Sequence, residues 1–164
     1  MNQRRVSGLA AIAAFVLSSL GPVRADEVLS FHFVTNSSSL QSLEVGDREG
    51  HLLRLNRRSG VAIFPDGSVG ASQYAATNDY INGVGAYVAY CNISLSDGSA
   101  LWFKVAGSTK MEEAATLFPA TQVVVLRGTG RFEGATGEGT FKGQLMPLAL
   151  GANLYADVEI NLKK

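Results

Sequence analysis

Two histidines, one cysteine, five tyrosines and one tryptophan carry much of the side-chain chemistry available to this 164-residue chain. Cys91 alternates with Ala89 and Ile93. That is the position of a small buried hydrophobe, and free cysteine usually behaves as one. A nucleophilic role would need an adjacent base, and only His32 and His51 are available, neither close in sequence. His32 falls opposite Phe31 and Phe33 in strand alternation, and His51 follows Gly50 beside a turn. With two histidines, one cysteine and no ligand spacing, the sequence predicts no metal site.

The aromatic residues with polar tips point to a different chemistry. Tyr74, Tyr80, Tyr87, Tyr90 and Trp102 suit a pocket that is apolar with a few orienting groups. A plain core or a subunit interface would use them equally well. Tyr90 and Trp102 lie on strand faces shared with polar residues. Arg127 follows a buried-looking run, with Glu133 and Glu138 beyond it. Beside a carboxylate it would either orient the polar end of a ligand or form an ion pair at a rim. The ligand-binding candidates are therefore Tyr74, Tyr87, Tyr90, Trp102 and Arg127, and no catalytic residue is identified. Arg54, Arg57 and Arg58 form a basic cluster that reads as a solvated turn, with Asp47 and Glu49 just upstream.

A glycine-rich segment, Gly128-Thr129-Gly130-Arg131-Phe132-Glu133-Gly134-Ala135-Thr136-Gly137-Glu138-Gly139, raises the question of phosphate binding. The dinucleotide pattern opens a helix. Here the spacing after Gly130 is one residue too long and a strand follows. No lysine completes a phosphate-binding loop, and the helix N-terminus that would hold an anion is missing. No cofactor is predicted.

The elements that must position these side chains read as strands. Residues 87–95 alternate, and Asp97-Gly98 supplies a hairpin turn. Residues 101–106, 121–127 and 141–146 follow as strands. Leu154, Ala156, Val158, Ile160 and Leu162 alternate with Asn153, Tyr155, Asp157, Glu159 and Asn161, the cleanest strand in the chain. Earlier, 28–35 and 68–77 are strands. Residues 50–56 and 60–64 form a short pair joined by Arg57, Arg58 and Ser59. Pro65-Asp66-Gly67 is a turn in which proline sets φ and glycine takes the left-handed position. Only 111–117, with Glu112, Glu113, Ala114 and Ala115, favours a helix, of about two turns. Eight or nine strands with glycine-rich turns predict an all-β fold, a single small antiparallel barrel or a sandwich. Glycines such as Gly83, Gly85, Gly139 and Gly143 suit the bends of a barrel.

The glycine-rich segment, between a preceding and a following strand, resembles the barrel superfamily of allene oxide cyclases and dirigent proteins. Tyr90-Cys91-Asn92-Ile93-Ser94-Leu95-Ser96-Asp97-Gly98-Ser99 resembles that family's central hairpin, as does Asn78-Asp79-Tyr80-Ile81-Asn82-Gly83. Together the similar stretches run over about residues 67–141. The resemblance implies an eight-stranded antiparallel barrel, often trimeric, with a hydrophobic cavity. It also implies action on reactive apolar substrates, by holding them in one conformation. The family's acidic and arginine functional residues do not align onto numbered positions here, so no catalytic role is carried over.

The first 25 residues have the form of an export leader. Arg4 and Arg5 precede an uncharged run from Val6 to Val23, most apolar over residues 9–20, and Val23-Arg24-Ala25 offers a cleavage site. The apolar part is shorter than the roughly 20 residues of a spanning helix. The expectation is a signal peptide over 1–25 and a barrel domain over 26–164, exported to a periplasm or secreted, in a bacterial member of the family. Cleavage would leave 139 residues, with 11 basic against 14 acidic side chains and a net charge of −3. That balance argues against a nucleic-acid binder. Asn36-Ser37-Ser38 and Asn92-Ile93-Ser94 spell glycosylation acceptors but carry little weight behind a bacterial leader.

Three functions follow in order. The first is an exported barrel that binds a small, largely apolar ligand in its cavity. The second is an isomerase or cyclase of the allene oxide cyclase or dirigent type. The third is a structural barrel filled with side chains that forms a homo-oligomer, a trimer by the resemblance.

Overall fold

The computed structural model describes residues 26–113, 115–147 and 151–163. They form nine strands: β1 (Glu27–Glu44), β2 (His51–Ile63), β3 (Val69–Ile81), β4 (Val84–Ser94), β5 (Ala100–Ser108), β6 (Lys110–Glu112), β7 (Ala115–Thr129), β8 (Thr136–Leu145) and β9 (Leu154–Lys163). Every pairing is antiparallel. Each strand pairs with its sequence neighbour, except that β5 pairs past β6 to β7. Pairing of β1 with β9, from Glu27↔Leu162 to Thr35↔Leu154, closes the sheet. Eight strands make an up-and-down barrel, and β6 is added to the edge of β7. Closure removes the free edges an open sheet would expose. The expected all-β barrel is the fold observed. The predicted leader lies outside the described residues.

Alternation produces the interior. In β3 and in β9 every second residue is buried. Phe31, Phe33, Phe103 and Phe141 fill the middle of the barrel. Their rings form a chain of contacts from Phe64 through Phe31, Phe103, Phe33 and Phe141 to Phe118, with centroids 5.5 to 6.3 Å apart. Most of these contacts are edge-to-face, the arrangement favoured by the ring quadrupole. Inward Gly139 faces Ile160 of β9. A Cβ there would lie 1.9 Å from the Glu159 carbonyl oxygen, so only glycine allows β8 to coil this tightly against β9.

The two ends differ. At one end, two turns of like chemistry, Phe64-Pro65-Asp66-Gly67-Ser68 and Leu95-Ser96-Asp97-Gly98-Ser99, join β2 to β3 and β4 to β5. In each, the aspartate accepts a hydrogen bond from the serine amide two residues on, at 2.9 and 2.8 Å, and Gly67 and Gly98 take φ of +82° and +84°. This is the turn expected from Pro65-Asp66-Gly67. The glycine-rich segment lies at the same end. Its single 3₁₀ turn, Gly130–Phe132, buries Phe132, and the Arg131 amide donates to Ser99 Oγ at 3.0 Å. The opposite end carries the β1–β2, β3–β4 and β8–β9 connections and is the end that opens.

Three local expectations are corrected. Residues 50–64 do not form a short pair: β2 runs unbroken from His51 to Ile63. Arg57 and Arg58 therefore lie mid-strand, and Arg58 is buried instead of solvated in a turn. The described residues of 111–117 form no helix. They are β6 and the start of β7, with Lys110↔Leu117 paired and Glu113 at φ +52° in the turn. A two-turn helix is marginal by itself. Here the ladder to β8, beginning at Thr116↔Leu145, supplies the backbone partners instead.

Candidate functional site

The open end holds a cavity of about 270 Å³ inside the barrel, with walls of two kinds. One wall is polar and comes from β2 and β3. Inward positions of β2 are Arg54, Asn56 and Arg58, opposite Asn78, Ala76 and Tyr74 of β3. The other wall is apolar and comes from Phe118 of β7, Leu145 of β8 and Leu154 of β9. Leu40 of β1 also lines the space. It faces inward because β1 bulges between Ser37 and Ser39, which shifts the strand's alternation by one residue. Beyond Thr35, β1 leaves β9 and rises with β2 to form the tall side of the mouth.

Arg58 is the most unusual residue of the site, only 5% exposed. Its Nε donates to Thr35 Oγ1 and its Nη2 to the Thr35 carbonyl, both at 3.2 Å. Nη2 also donates to the Ala152 carbonyl. That carbonyl is presented by a residue in the left-handed region, with φ +49°. None of these partners is a carboxylate. Burial lowers the guanidinium's affinity for its proton, opposed by Tyr74, yet arginine stays charged at any ordinary pH. Arg54 lies one inward step nearer the mouth than Asn56, and its Nε is buried with no hydrogen-bond partner. No aspartate or glutamate is among the described residues lining the cavity.

The tyrosines complete the polar wall. Tyr74 is buried beside Arg58, and burial raises its phenol well above the usual range. Tyr80 accepts a hydrogen bond from Asn78 Nδ2 at 2.9 Å, and burial raises its pKa as well. Tyr87 sits below the cavity. Its hydroxyl donates to Thr121 Oγ1 at 3.2 Å and its ring packs edge-on against Phe118, 5.1 Å between centroids. Burial pushes its pKa up to about 12.

The five sequence candidates thus separate. Tyr74 lines the cavity and Tyr87 supports its floor. Tyr90 and Trp102 lie on the outer face, in a shallow groove of about 310 Å³ shared with Arg57 and Asn92. Arg127 stacks its guanidinium on Trp102, 4.1 Å from the ring centroid, and has no carboxylate partner among the described residues. Arg54, Arg58 and Asn78 were not among the candidates. The signal for them is the alternation of 52–58. Leu53 and Leu55 share one face, Arg54, Asn56 and Arg58 the other, and the strand turns its polar face inward.

The remaining candidates are placed elsewhere. Cys91 is buried in the core and burial raises its thiol pKa. His32 pairs with Asp157 at 2.6 Å on the exposed outer surface. His51 bridges Asp47, through Nδ1, and Asp79, through Nε2 at 2.8 Å. No group of three or more such side chains among the described residues is placed to hold a metal ion. A wider depression of about 800 Å³ crosses the outer face between β1, β9, β8 and the β6–β7 hairpin. Exposed His32, Lys110, Glu112, Lys142, Tyr155 and Asp157 line it. Its polar groups are already solvated, whereas Arg58, Tyr74, Asn78 and Tyr80 of the interior cavity are buried, so the interior cavity is the stronger candidate.

The chain matches no family model and no curated protein. Among solved structures it is similar to the pterocarpan synthase dirigent protein GePTS1, with a TM-score of 0.55 and 14% identity, covering 94% of this chain and 98% of that one. It is also similar to the pterocarpan synthase dirigent protein PsPTS1, with a TM-score of 0.50 and 15% identity, covering 85% and 97%. Structural similarity over most of both chains, at an identity too low to carry residue roles, establishes one thing: this chain has the dirigent barrel fold.

Proposed function

We propose that this protein binds a small, largely apolar molecule inside the open end of its barrel. The observation that carries this reading is the division of the interior. One half is packed solid with phenylalanines, and the other encloses a cavity with an apolar wall facing a wall of arginine, asparagine and tyrosine. An eight-stranded barrel has just enough interior for one small ligand. At about 270 Å³ the space is near the lower end for ligand sites, which favours a molecule of one or two rings or a short chain.

A second reading is steering of a reactive substrate, as an isomerase or cyclase. It draws on Arg58 beside Tyr74 at the depth of the cavity, and on the fold neighbours being pterocarpan synthase dirigent proteins. Without a carboxylate in the described lining, and with both lining phenols raised by burial, the described lining offers no group poised for proton transfer near neutral pH. Binding is therefore the leading function. The leader-like segment supports export of the barrel, and the dirigent resemblance supports assembly as a trimer.

The test is extraction of the purified native protein followed by mass spectrometry. A co-purifying small molecule is expected, and it should be absent from Leu145→Trp, where the indole fills the cavity. The same molecule recovered from both proteins would place it outside the barrel and overturn the reading.

A further inference from the structure

We infer that the cavity selects a small amphipathic acid, whose carboxylate is held by Arg54 and Arg58 while its apolar body lies against Phe118, Leu145 and Leu154. The inference rests on the binding function proposed above and names its ligand class.

The first argument is charge. Two guanidinium groups line a small space whose described lining holds no carboxylate. Buried charges in proteins are normally paired, because an uncompensated ion in a poorly solvated site is costly. Arg58 satisfies three donor positions with neutral oxygens of Thr35 and Ala152. Its Nη1 amine, the remaining donor pair of the guanidinium, has no partner among the described residues. Arg54 adds a buried Nε with no partner. These are unused donors of the kind that bind a carboxylate through paired hydrogen bonds.

The second argument is geometry. Arg54 and Arg58 are four residues apart on one strand, about 13 Å between Cα atoms at the usual strand rise. Asn56 lies between them and also points inward. Both side chains line the same cavity, Arg58 turned toward Thr35 and Ala152 and Arg54 nearer the mouth. Across the barrel no charged side chain lines β7, β8 or β9 in this cavity. A neutral apolar molecule would leave both guanidinium groups unpaired. An anion without an apolar body would leave the leucine and phenylalanine wall uncovered. Only a molecule with both parts covers both walls.

The experiment is calorimetric titration of the full barrel with two matched pairs: octanoate against octanol, and 2-naphthoate against 2-naphthylmethanol. At least one acid is expected to bind about tenfold or more tightly than its alcohol. Arg54→Met should cut that acid's affinity about tenfold and leave the alcohol's unchanged. The Arg54 side chain makes no hydrogen bond to the described protein residues, so this variant keeps its fold, whereas Arg58→Met removes bonds that hold Thr35 and Ala152. Leu145→Trp should abolish binding of both members of a pair. Equal affinity of acid and alcohol, unaltered by Arg54→Met, overturns the acid preference and leaves the cavity reading intact. Tight acid binding that survives Leu145→Trp places the anion outside the barrel and overturns the inference. Failure of all four probes to bind at millimolar concentration overturns the cavity reading and the inference with it.

Discussion

Arg58 and Cys91 show how the same interior treats two reactive groups. Both are buried. Arg58 keeps its charge and collects oxygen partners, while Cys91 lies among hydrophobic side chains with its thiol pKa raised by burial. A thiol held protonated and out of solvent is a poor nucleophile. In the folded protein Cys91 should resist iodoacetamide and react only as fast as the barrel opens; rapid labelling of the native state by mass spectrometry would contradict this. His51 behaves differently because it is a surface bridge. Its hydrogen bonds to Asp47 and Asp79 raise the imidazole pKa above 6.5. The bond from His51 lowers that of Asp47 below 3.8. The histidine's contribution to stability is full below its unfolded pKa and is lost as pH rises through the raised folded value. The aspartate's contribution is full above its unfolded pKa and is lost as pH falls through the lowered one. The Tm difference between the wild type and His51→Gln should therefore be larger near about pH 5 than near about pH 9. A gap constant across that range would show that the bridge does not act through charge.

At the scale of elements, β2 decides the character of the site. Leu53, Leu55 and Arg57 face outward, and Arg54, Asn56 and Arg58 face inward. This inverts the usual rule for a half-buried strand. The alternation was legible in 52–58, but which face points inward was not. Strand period alone cannot state orientation, and a break assumed at Arg57-Arg58-Ser59 hid the continuity. The turns were easier, because aspartate-glycine pairs dictate their own geometry through local hydrogen bonds. Residues 111–117 failed for the opposite reason: local helix preference was overridden by a ladder to β8 that is distant in sequence. The coiling of β8 against β9 also depends on a distant partner. Gly139→Ala is expected to destabilise the barrel by about 1–3 kcal/mol in urea unfolding, as overpacking does. Thr140→Ala, on the exposed face of the same strand, should stay within about 0.5 kcal/mol.

Over the whole molecule, closure is the dominant constraint. β1 must find β9, more than a hundred residues away, before any cavity exists. Once closed, the barrel has an outer face on β1 to β4 that remains apolar in patches, with Leu43 at 64%, Leu53 at 42%, and Leu55 and Tyr90 both at 55% exposure. Leu43 pairs directly with Leu53, and Tyr90 lies next to Ala75 on β3. Contiguous exposed apolar surface of this kind is ordinarily covered by a partner. The proposed assembly should place this face at its interface. Sedimentation equilibrium is expected to give a trimer for the wild type and a smaller species for Leu55→Glu. A wild-type monomer at high concentration would remove the assembly, and an unaltered Leu55→Glu trimer would move its interface elsewhere.

What the sequence determined by itself was local: alternation that specifies strands, aspartate-glycine turns, and a pattern resembling the dirigent barrel. These are short-range properties, set by side-chain period and by backbone preference. The tertiary structure alone decided which face of each strand lies inside. It left one end packed and the other open, and it brought Arg58 against Tyr74 and Arg54 into the same cavity while sending Tyr90, Trp102 and Arg127 to the outside. Those outcomes depend on register and closure between distant strands. A bulge of one residue in β1 and a buried arginine in β2 follow from the barrel as a whole, because only the closed sheet defines an inside.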